Sequence, residues 1–265
     1  MRKDRLADFS EMDEVVLVPG GVLKMGSSQE EVRHCLREWR DRLLDESYVP
    51  AFESWISKES PQHLMGVNAF MAKRFPVTNG EFSQYLTEAG GEAPESIASG
   101  VPDDHPVWGV TLPQAQTFAA WKQARDHRPW RLPTEAEWEW MAAGPERLRY
   151  PYGMQFDPRR GNSIESGIGM STPVHAHSLG ASWCGVEDLA GNVEEWTASR
   201  YAPYPGGQFI EDDLTRLVGP EYPIVRGGSF ELGGDLTRTS RRHGPHPGRP
   251  FRIIGFRLVH DGLPS

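Results

Sequence analysis

Apolar residues fall into short stretches along the chain, and their spacing predicts strands near the start followed by helices. Residues 15–25, with the turn Pro19-Gly20-Gly21 inside them, predict two short strands. Over residues 30–46 apolar side chains recur three or four positions apart, which predicts a helix with one buried face. Residues 50–61 predict irregular backbone, and residues 67–71 predict a further strand.

Capping residues mark the starts of three helices in the middle of the chain. Thr78 can cap a helix over residues 79–89, which two glycines then end. Proline opens a second helix over residues 113–125, where its missing N–H costs nothing. Thr134 and Glu137 have the spacing of a capping box, in which each side chain bonds the other residue's backbone N–H.

The second half of the sequence is rich in turns and predicts no helix after Gly144. Two strands are expected near its end, over residues 224–230 and 253–259. Helices that come early and strands that come late, without regular alternation, indicate an α+β fold. The predicted organisation is a tail over 1–14, one domain over 15–260 and a second tail over 261–265.

The amino-acid composition accounts for the many turns and argues against nucleic-acid and membrane partners. The 265 residues include 28 glycines and 22 prolines, and the aromatic side chains are numerous enough to build a core. There are 28 basic and 37 acidic residues, a net charge of −9, so nucleic acid is not an expected partner. No apolar run approaches the ~18 residues that a membrane span needs, so no membrane is expected either.

Two further features bear on the cellular compartment. The first residues alternate between basic and acidic side chains and contain no apolar signal segment, which predicts a cytoplasmic protein. Cys35 and Cys184 are too few for a disulfide framework and fit a reducing compartment.

Seven short motifs then appear in a fixed order along the chain. They are PGGVLKMG (19–26), PVTNGEF (76–82), HPVWGV (105–110), RLPTEAEWE (131–139), DLAGNVEEW (188–196), RGGSF (226–230) and GFRLV (255–259). Together they resemble the formylglycine-generating enzyme, or sulfatase-modifying factor, domain family. The resemblance covers about residues 15–260 and implies an α+β variant of the C-type-lectin-like fold with much irregular backbone.

The resemblance leaves the activity open, because fold alone does not choose among functions. The family includes copper oxidases that convert a protein cysteine to formylglycine, and the C-terminal domain of iron-dependent sulfoxide synthases of the ergothioneine type. It also includes proteins linked to siderophore maturation and binding domains without catalysis. Each branch makes a different demand on the residues of this chain.

The copper branch needs two thiolates, which suit the soft ion Cu(I). Carried onto this sequence, the two ligand positions fall on Leu232 and Thr237, and neither side chain contains sulfur. Cys35 and Cys184 lie in other segments. Copper-dependent formylglycine formation is therefore not expected.

The iron branch resembles this chain after the tryptophan motif, over residues 197–206. Those enzymes hold iron with three histidines of a separate N-terminal helical domain, for which this chain has no room. Fe(II) also suits imidazole and carboxylate ligands drawn from elsewhere. The candidate side chains are His175 and His177, which would share one face of a strand, and His243 and His246 with Glu231 or Asp235. The alternative is that these are exposed loop histidines.

A calcium site is the one family site whose side chains are all retained. The resemblance assigns it to the carboxylates of Asp188 and Glu195 and the backbone carbonyls of Gly191 and Val193. Oxygen ligands of this kind are those that Ca²⁺ prefers. The alternative is a pair of carboxylates satisfied by backbone N–H groups and arginines.

One basic stretch stands out in this acidic chain, over residues 238–257. Arg257 is expected to pair internally with Glu135 or Glu195. The other arginines predict either a solvated face or a groove for a small anionic molecule or peptide, since arginine binds carboxylates with two parallel hydrogen bonds. The residues expected to line such a groove are Arg238, Arg241, Arg242 and Arg249, with Tyr201, Tyr204 and Trp183.

Two functions therefore compete. The favoured hypothesis is oxidative modification of a small molecule or peptide by a metal-dependent oxygenase, or by a subunit of one that acts with a partner protein. The alternative is a non-catalytic, lectin-like domain that binds a ligand or protein. If the first is correct, His243 or His246 should lie close to another histidine or a carboxylate in an open pocket.

Overall fold

The computed structural model describes residues 15–246 and 252–262. Arg249, the predicted tail 1–14 and residues 263–265 lie outside the described residues. The helices are α1 (Gln29–Trp39), α2 (Val49–Ser57), α3 (Asn79–Ala89), α4 (Glu95–Ala98), α5 (Leu112–Asp126), α6 (Glu135–Ala143) and α7 (Asp213–Val218). The strands are β1 (Val15–Val18), β2 (Gly21–Met25), β3 (His63–Val67), β4 (Phe70–Lys73), β5 (Glu194–Arg200), β6 (Pro223–Arg226), β7 (Ile254–Gly255) and β8 (Val259–His260).

Short strands form three small sheets among the described residues. β4 lies between β1 and β8, β2 pairs with β3, and β5 lies between β6 and β7. β1 and β2 follow one another at the predicted turn but pair with different partners, because β1 runs antiparallel to β4 and β2 runs antiparallel to β3. The combination of helices and small sheets is the predicted α+β fold.

The helix starts that the sequence predicts are confirmed. Thr78 and Thr134 cap α3 and α6, and in both cases the threonine backbone N–H also donates to the glutamate three residues later. α5 has proline in its first turn, as predicted, and a further capping box at Thr111. These starts were predictable because each depends only on residues four positions apart or fewer.

Several predictions about the elements were wrong. The strand expected over residues 67–71 is divided between the end of β3 and the start of β4, the strand expected over 224–230 ends at Arg226, and the strand expected over 253–259 is interrupted between β7 and β8. The helix expected over residues 30–46 ends at Trp39 and continues as a 3₁₀ turn. Residues 50–61, expected to be irregular, contain α2, in which Pro50 occupies the first turn and Phe52 and Ile56 are buried on one face. A helix also occurs after Gly144, since Asp212 and Thr215 cap the short α7.

Aromatic side chains fill much of the core. Phe82 of α3 stacks on Phe118 of α5 with ring centres 5.4 Å apart, and Phe256 meets Phe118 edge-on at 5.3 Å. Trp138 of α6 is fully buried in a second cluster, with the inner side chains of β1, β2 and β4. The irregular backbone therefore surrounds packed aromatic layers.

Buried arginine–glutamate pairs connect segments that lie far apart in the sequence. Arg257 donates to both carboxylate oxygens of Glu195 at 2.6–3.0 Å, so the expected internal pairing of this arginine is confirmed with Glu195 as the partner. The Trp138 indole N–H donates to the same carboxylate at 2.9 Å. Glu195 lies in β5, so this cluster ties the central strand of its sheet to α6 and to the end of the chain.

We expect Glu195→Gln to destabilise the fold strongly, because it leaves the fully buried Arg257 cation without a counter-charge. Removing one partner of a buried ion pair costs about 3–5 kcal/mol. Urea unfolding of the two proteins at pH 7 measures the difference. Glu211→Gln is the matched control, since the Glu211–Arg216 pair is 65% exposed on both sides. Equal losses in both variants would contradict the structural role of Glu195.

Candidate functional site

A cavity lies between α2 with its preceding turn and the segment that follows β6. Water-sized molecules have about 70 Å³ of room inside it, and it opens to solvent on one side; we refer to it as the α2 cavity. Its apolar wall consists of Leu43, Leu44, Leu214, Leu232 and Leu236. The aromatic side chains of Tyr48, Trp55 and Tyr222 complete this wall.

Charged and titratable groups collect on the other side of the α2 cavity. They are Lys58, Asp212, Asp213, Asp235, Arg241, Arg242, His243 and His246. Lys58 forms an ion pair with Asp212 and donates to the Tyr222 hydroxyl at 2.9 Å. An apolar pocket with a few convergent polar groups is the usual form of a small-molecule site.

Both C-terminal histidine candidates line this cavity, and each lies beside a carboxylate. His243 Nδ1 lies 2.8 Å from Glu194 Oε1, and its ring is 13% exposed while the Glu194 side chain is 1% exposed. His246 Nε2 lies 3.6 Å from Asp213 Oδ2. Backbone hydrogen bonds with Val225 hold His243 beside β6. The arrangement meets the condition that a chemical role for these histidines requires.

Of the two carboxylate candidates near the histidines, Asp235 lines the α2 cavity and Glu231 is half-buried outside its lining. Burial raises the pKa of Asp235 above its ordinary value, although Arg241 and Arg238 oppose the shift. Arg241 Nε lies 3.5 Å from Asp235 Oδ2. This carboxyl therefore takes up a proton more readily than a surface aspartate does.

His175 and His177 lie elsewhere, and the strand expected to carry them is a turn. His175 is exposed, and the pKa of the half-buried His177 is lowered by desolvation. A turn does not place residues two apart on one face, so the reason for grouping these two side chains is lost.

The described residues do not present a redox-metal site. Within residues 15–246 and 252–262, no group of three or more histidine, cysteine, aspartate or glutamate side chains is arranged to hold a metal ion. Leu232 and Thr237 are buried, and the Thr237 hydroxyl donates to the Gly234 carbonyl at 2.8 Å. Burial raises the pKa of the Cys35 thiol to about 12, so this sulfur is not a thiolate near neutral pH. The donor set that is described fits neither copper nor iron.

The described arginines among those predicted to line a groove are buried in the structure, and most of them are paired with glutamates. Arg238 and Arg242 are buried, where Arg238 binds both oxygens of Glu59 at 2.6–2.8 Å and Arg242 binds both oxygens of Glu135 at 2.8–3.0 Å. Arg241 is also buried and lines the α2 cavity. These side chains form neither a solvated face nor a row of free cations.

Two of the three aromatic candidates lie against the Arg242 guanidinium, Tyr201 at 5.0 Å and Tyr204 at 4.1 Å from ring centre to Cζ, and Trp183 lies elsewhere. Tyr201 is buried and stacks on Tyr222 with ring centres 5.1 Å apart. Tyr204 lies under the Arg242 guanidinium, 4.1 Å from ring centre to Cζ, and lines a second, wider groove on that side. Trp183 packs edge-on against Trp140, 5.2 Å away, and its indole N–H donates to the Trp140 carbonyl.

The loop expected to bind calcium is buried and sharply folded. Asp188 and Asn192 both adopt positive φ, at 57° and 68°, and the Asn192 amide donates to Asp188 Oδ2 at 3.2 Å. Burial raises the pKa of Asp188 to about 8. The Gly191 carbonyl accepts from the Val193 N–H at 3.0 Å. Asp188 is thus a buried carboxyl whose ionised form a bound cation would stabilise. The Glu195 carboxylate is instead paired with Arg257.

Comparison with known proteins identifies the family of this chain. The sulfatase-modifying factor enzyme 1-like domain family matches residues 4–262. The chain belongs to this family. Solved structures support the fold: PvdO from Pseudomonas aeruginosa superposes with a TM-score of 0.67 over 95% of both chains at 20% identity. Treponema denticola variable protein 1 gives the same TM-score at 16% identity, over 94% of this chain and 95% of that one.

Members of the family with related sequences carry different names. A hercynine oxygenase of Mycobacterium tuberculosis is 32% identical over 243 residues, which are 78% of this chain and 56% of that protein. An inactive C-alpha-formylglycine-generating enzyme 2 of Bos taurus is 28% identical over 251 residues, 76% of this chain and 80% of that protein. The chain thus spans little more than half the length of the hercynine oxygenase.

Sequence reasoning missed one wall of the cavity in this sulfatase-modifying factor-like domain. Tyr48 precedes α2, Trp55 lies within it and Lys58 follows it, and Asp212 and Asp213 lie at the start of α7. Neither helix was predicted. The apolar pair Phe52 and Ile56, four residues apart, was the signal that could have revealed α2.

The calcium expectation can be tested at Asp188. We expect Ca²⁺ to raise the Tm of the native protein at pH 8 and to raise that of Asp188→Asn much less, because the amide supplies no charge to the ion. Asn tolerates positive φ and can still accept from Asn192, so the loop is preserved. Differential scanning calorimetry with EDTA or Ca²⁺ measures the response, with the exposed Asp41→Asn as the control. Equal calcium responses in all three proteins would exclude Asp188 as a ligand.

Asp188→Asn should also change how the Tm depends on pH when calcium is removed by EDTA. The pKa of Asp188 rises from 3.8 to about 8 on folding, so the folded state favours the protonated carboxyl. The stability that the protonated Asp188 contributes is therefore fully present below pH 4, and it is lost as the pH rises towards 8. Asp188→Asn should lack this part of the decline in Tm. A decline of the same size in both proteins would contradict the buried, raised carboxyl.

Proposed function

We propose that this domain is the substrate-binding part of an oxygenase that acts on a small organic molecule, and that the α2 cavity is the binding site. The observation that carries the proposal is the composition of that cavity. An aromatic and aliphatic wall faces a side that holds His243, backed by Glu194, together with paired cations and anions. Such a site can bind a polar molecule, orient it and exclude water around it.

The oxygenase part of the proposal draws on the relatives. Three mycobacterial proteins named hercynine oxygenase are 27–32% identical to this chain, which spans 55–61% of their length. Hercynine is a betaine, so it carries a quaternary ammonium group beside a carboxylate. Quaternary ammonium ions bind the faces of aromatic rings, and Trp55 and Tyr48 offer such faces in the cavity wall.

His243 is the residue to which we assign proton handling. Its Nδ1 lies 2.8 Å from the buried Glu194 carboxylate, which fixes the orientation of the ring. A histidine held in this way can take up a proton from a bound molecule or return one. Redox iron would supply the oxygen chemistry, but no group of three donor side chains suits it among the described residues, so we assign them binding, orientation and proton transfer but not iron binding.

The second candidate function is a binding domain without catalysis. Leu232 and Thr237 favour it, because they occupy the positions that the family resemblance assigns to the copper thiolates and neither can bind Cu(I) strongly. A relative named as inactive, at 33% identity in Mus musculus, fits the same interpretation. Both functions use the α2 cavity, so they differ only in whether the bound molecule then reacts.

Hercynine is the ligand with which to test the site. Leu44→Trp should fill the mouth of the α2 cavity and weaken hercynine binding by about ten-fold or more, a difference that isothermal titration calorimetry resolves. Leu44 is 43% exposed, so the larger ring need not disturb the core. Leu64→Trp is the matched control, because Leu64 is 69% exposed on β3 and lies outside the cavity lining. Equal binding by both variants would place the ligand elsewhere, and no binding to the native protein would overturn the proposal.

Metal analysis and oxygen uptake separate the two functions. For the oxygenase role we expect stoichiometric iron in a complex of the protein with a partner that supplies further ligands, and oxygen consumption that depends on hercynine. Calcium alone, with hercynine bound and no oxygen consumed after iron is added, would favour the non-catalytic binding domain.

A further inference from the structure

Arg241 is the least neutralised of the buried arginines in the α2 cavity and its surroundings. Arg238, Arg242 and Arg257 each donate to both oxygens of a glutamate at 2.6–3.0 Å. Arg241 has only Asp235 as an ionic partner, at 3.5 Å from Nε, and this contact lacks hydrogen-bond geometry. Its Nε is buried and has no hydrogen-bond acceptor among the described residues.

The Asp235 carboxyl compensates this cation poorly. Burial raises the pKa of Asp235, so a larger fraction of this carboxyl is protonated and uncharged as the pH falls. The Arg241 charge is then left without a partner. Arg241 also donates through Nη1 to the Arg242 carbonyl, which fixes the direction of its guanidinium. The cation is thus held in place but is not satisfied.

The neighbouring charges in the cavity have partners of their own. Lys58 pairs with Asp212, and the Trp55 indole N–H donates to Asp213 at 2.6 Å. His243 lies beside Glu194 and His246 beside Asp213. An anion that enters the α2 cavity would therefore find its strongest uncompensated attraction at Arg241.

We propose that Arg241 receives the carboxylate of the molecule that binds in the α2 cavity and so selects for carboxylate ligands. Guanidinium groups match carboxylates with parallel N–H bonds, and an unpaired buried donor gains most from such a partner. The inference rests on the proposed function in taking this cavity as the substrate site. The aromatic wall then receives the rest of the molecule.

Acetate tests the carboxylate site without any assumption about the substrate. In ¹⁵N-labelled protein, the Arg241 Nε–H resonance, assigned by its loss in Arg241→Lys, should shift in a saturable manner as acetate is added. Chloride at the same ionic strength should not shift it, and the resonance of Arg252, which is 58% exposed, should not respond to either ion. An Arg241 resonance that ignores acetate would overturn the proposal.

Selectivity provides the second test. The native protein should bind hercynine about ten-fold or more tightly than N,N,N-trimethylhistamine, which lacks the carboxylate, since a hydrogen bond to a charged group is worth this much. Arg241→Gln should abolish the preference, whereas the control Arg252→Gln should keep it. Circular dichroism and Tm establish that both variants are folded. A preference retained in folded Arg241→Gln would contradict the assignment.

Asp235→Asn keeps the proposal testable if Arg241→Gln does not fold. Removing the competing carboxylate should strengthen acetate binding several-fold, an effect in the opposite direction from structural damage. Unchanged or weaker acetate binding in a folded Asp235→Asn protein would count against the site. If acetate binds at Arg241 but hercynine does not bind at all, the carboxylate site stands and the proposed function fails.

Discussion

Buried guanidinium groups hold together a fold whose strands are too short to hold it alone. The described strands contain between two and seven residues, so their ladders supply few hydrogen bonds. Arg257 replaces many of them: besides Glu195, it donates to the backbone carbonyls of Lys73, Arg74 and Glu187 at 2.8–3.2 Å. One side chain thereby joins the ends of three segments. A buried pair adds little net stability over apolar packing, but its geometry permits one arrangement of the backbone.

The same kind of interaction positions the α2 cavity. Glu135, the first residue of α6, accepts from Arg226 of β6 and from Arg242 in the segment that lines the cavity. Arg242 also donates to the carbonyls of Lys58 and Ala202 at 3.0–3.1 Å, which connects the end of α2 to the chain after β5. The polar side of the cavity is therefore an extension of the buried network that connects α6, β6 and the end of α2.

Sequence reasoning succeeded where the physics is local. The helix starts at Thr78 and Thr134 follow from side chains that bond backbone three residues away. The pairing of Arg257 with Glu195 spans 62 positions and was expected only because both residues lie in motifs of the resembled family. Sequence reasoning failed where distance matters, since Arg238 meets Glu59 across 179 positions and no local pattern announces that contact. The histidines and arginines near residue 240 were predicted as candidates. The wall opposite them depends on α2, a helix that was not predicted because the prolines at residues 50 and 61 favoured irregular backbone.

The apolar wall of the cavity changes what its charged groups can do. Leu232 stands where the family resemblance expects a copper thiolate, and its side chain forms part of that wall together with Leu236. Apolar side chains keep water out and lower the local dielectric constant, which strengthens every interaction between a bound ligand and groups such as Arg241 and His243. Under the proposed function, a segment that lacks sulfur ligands therefore contributes the apolar surface beside which a few fixed polar groups bind a small molecule.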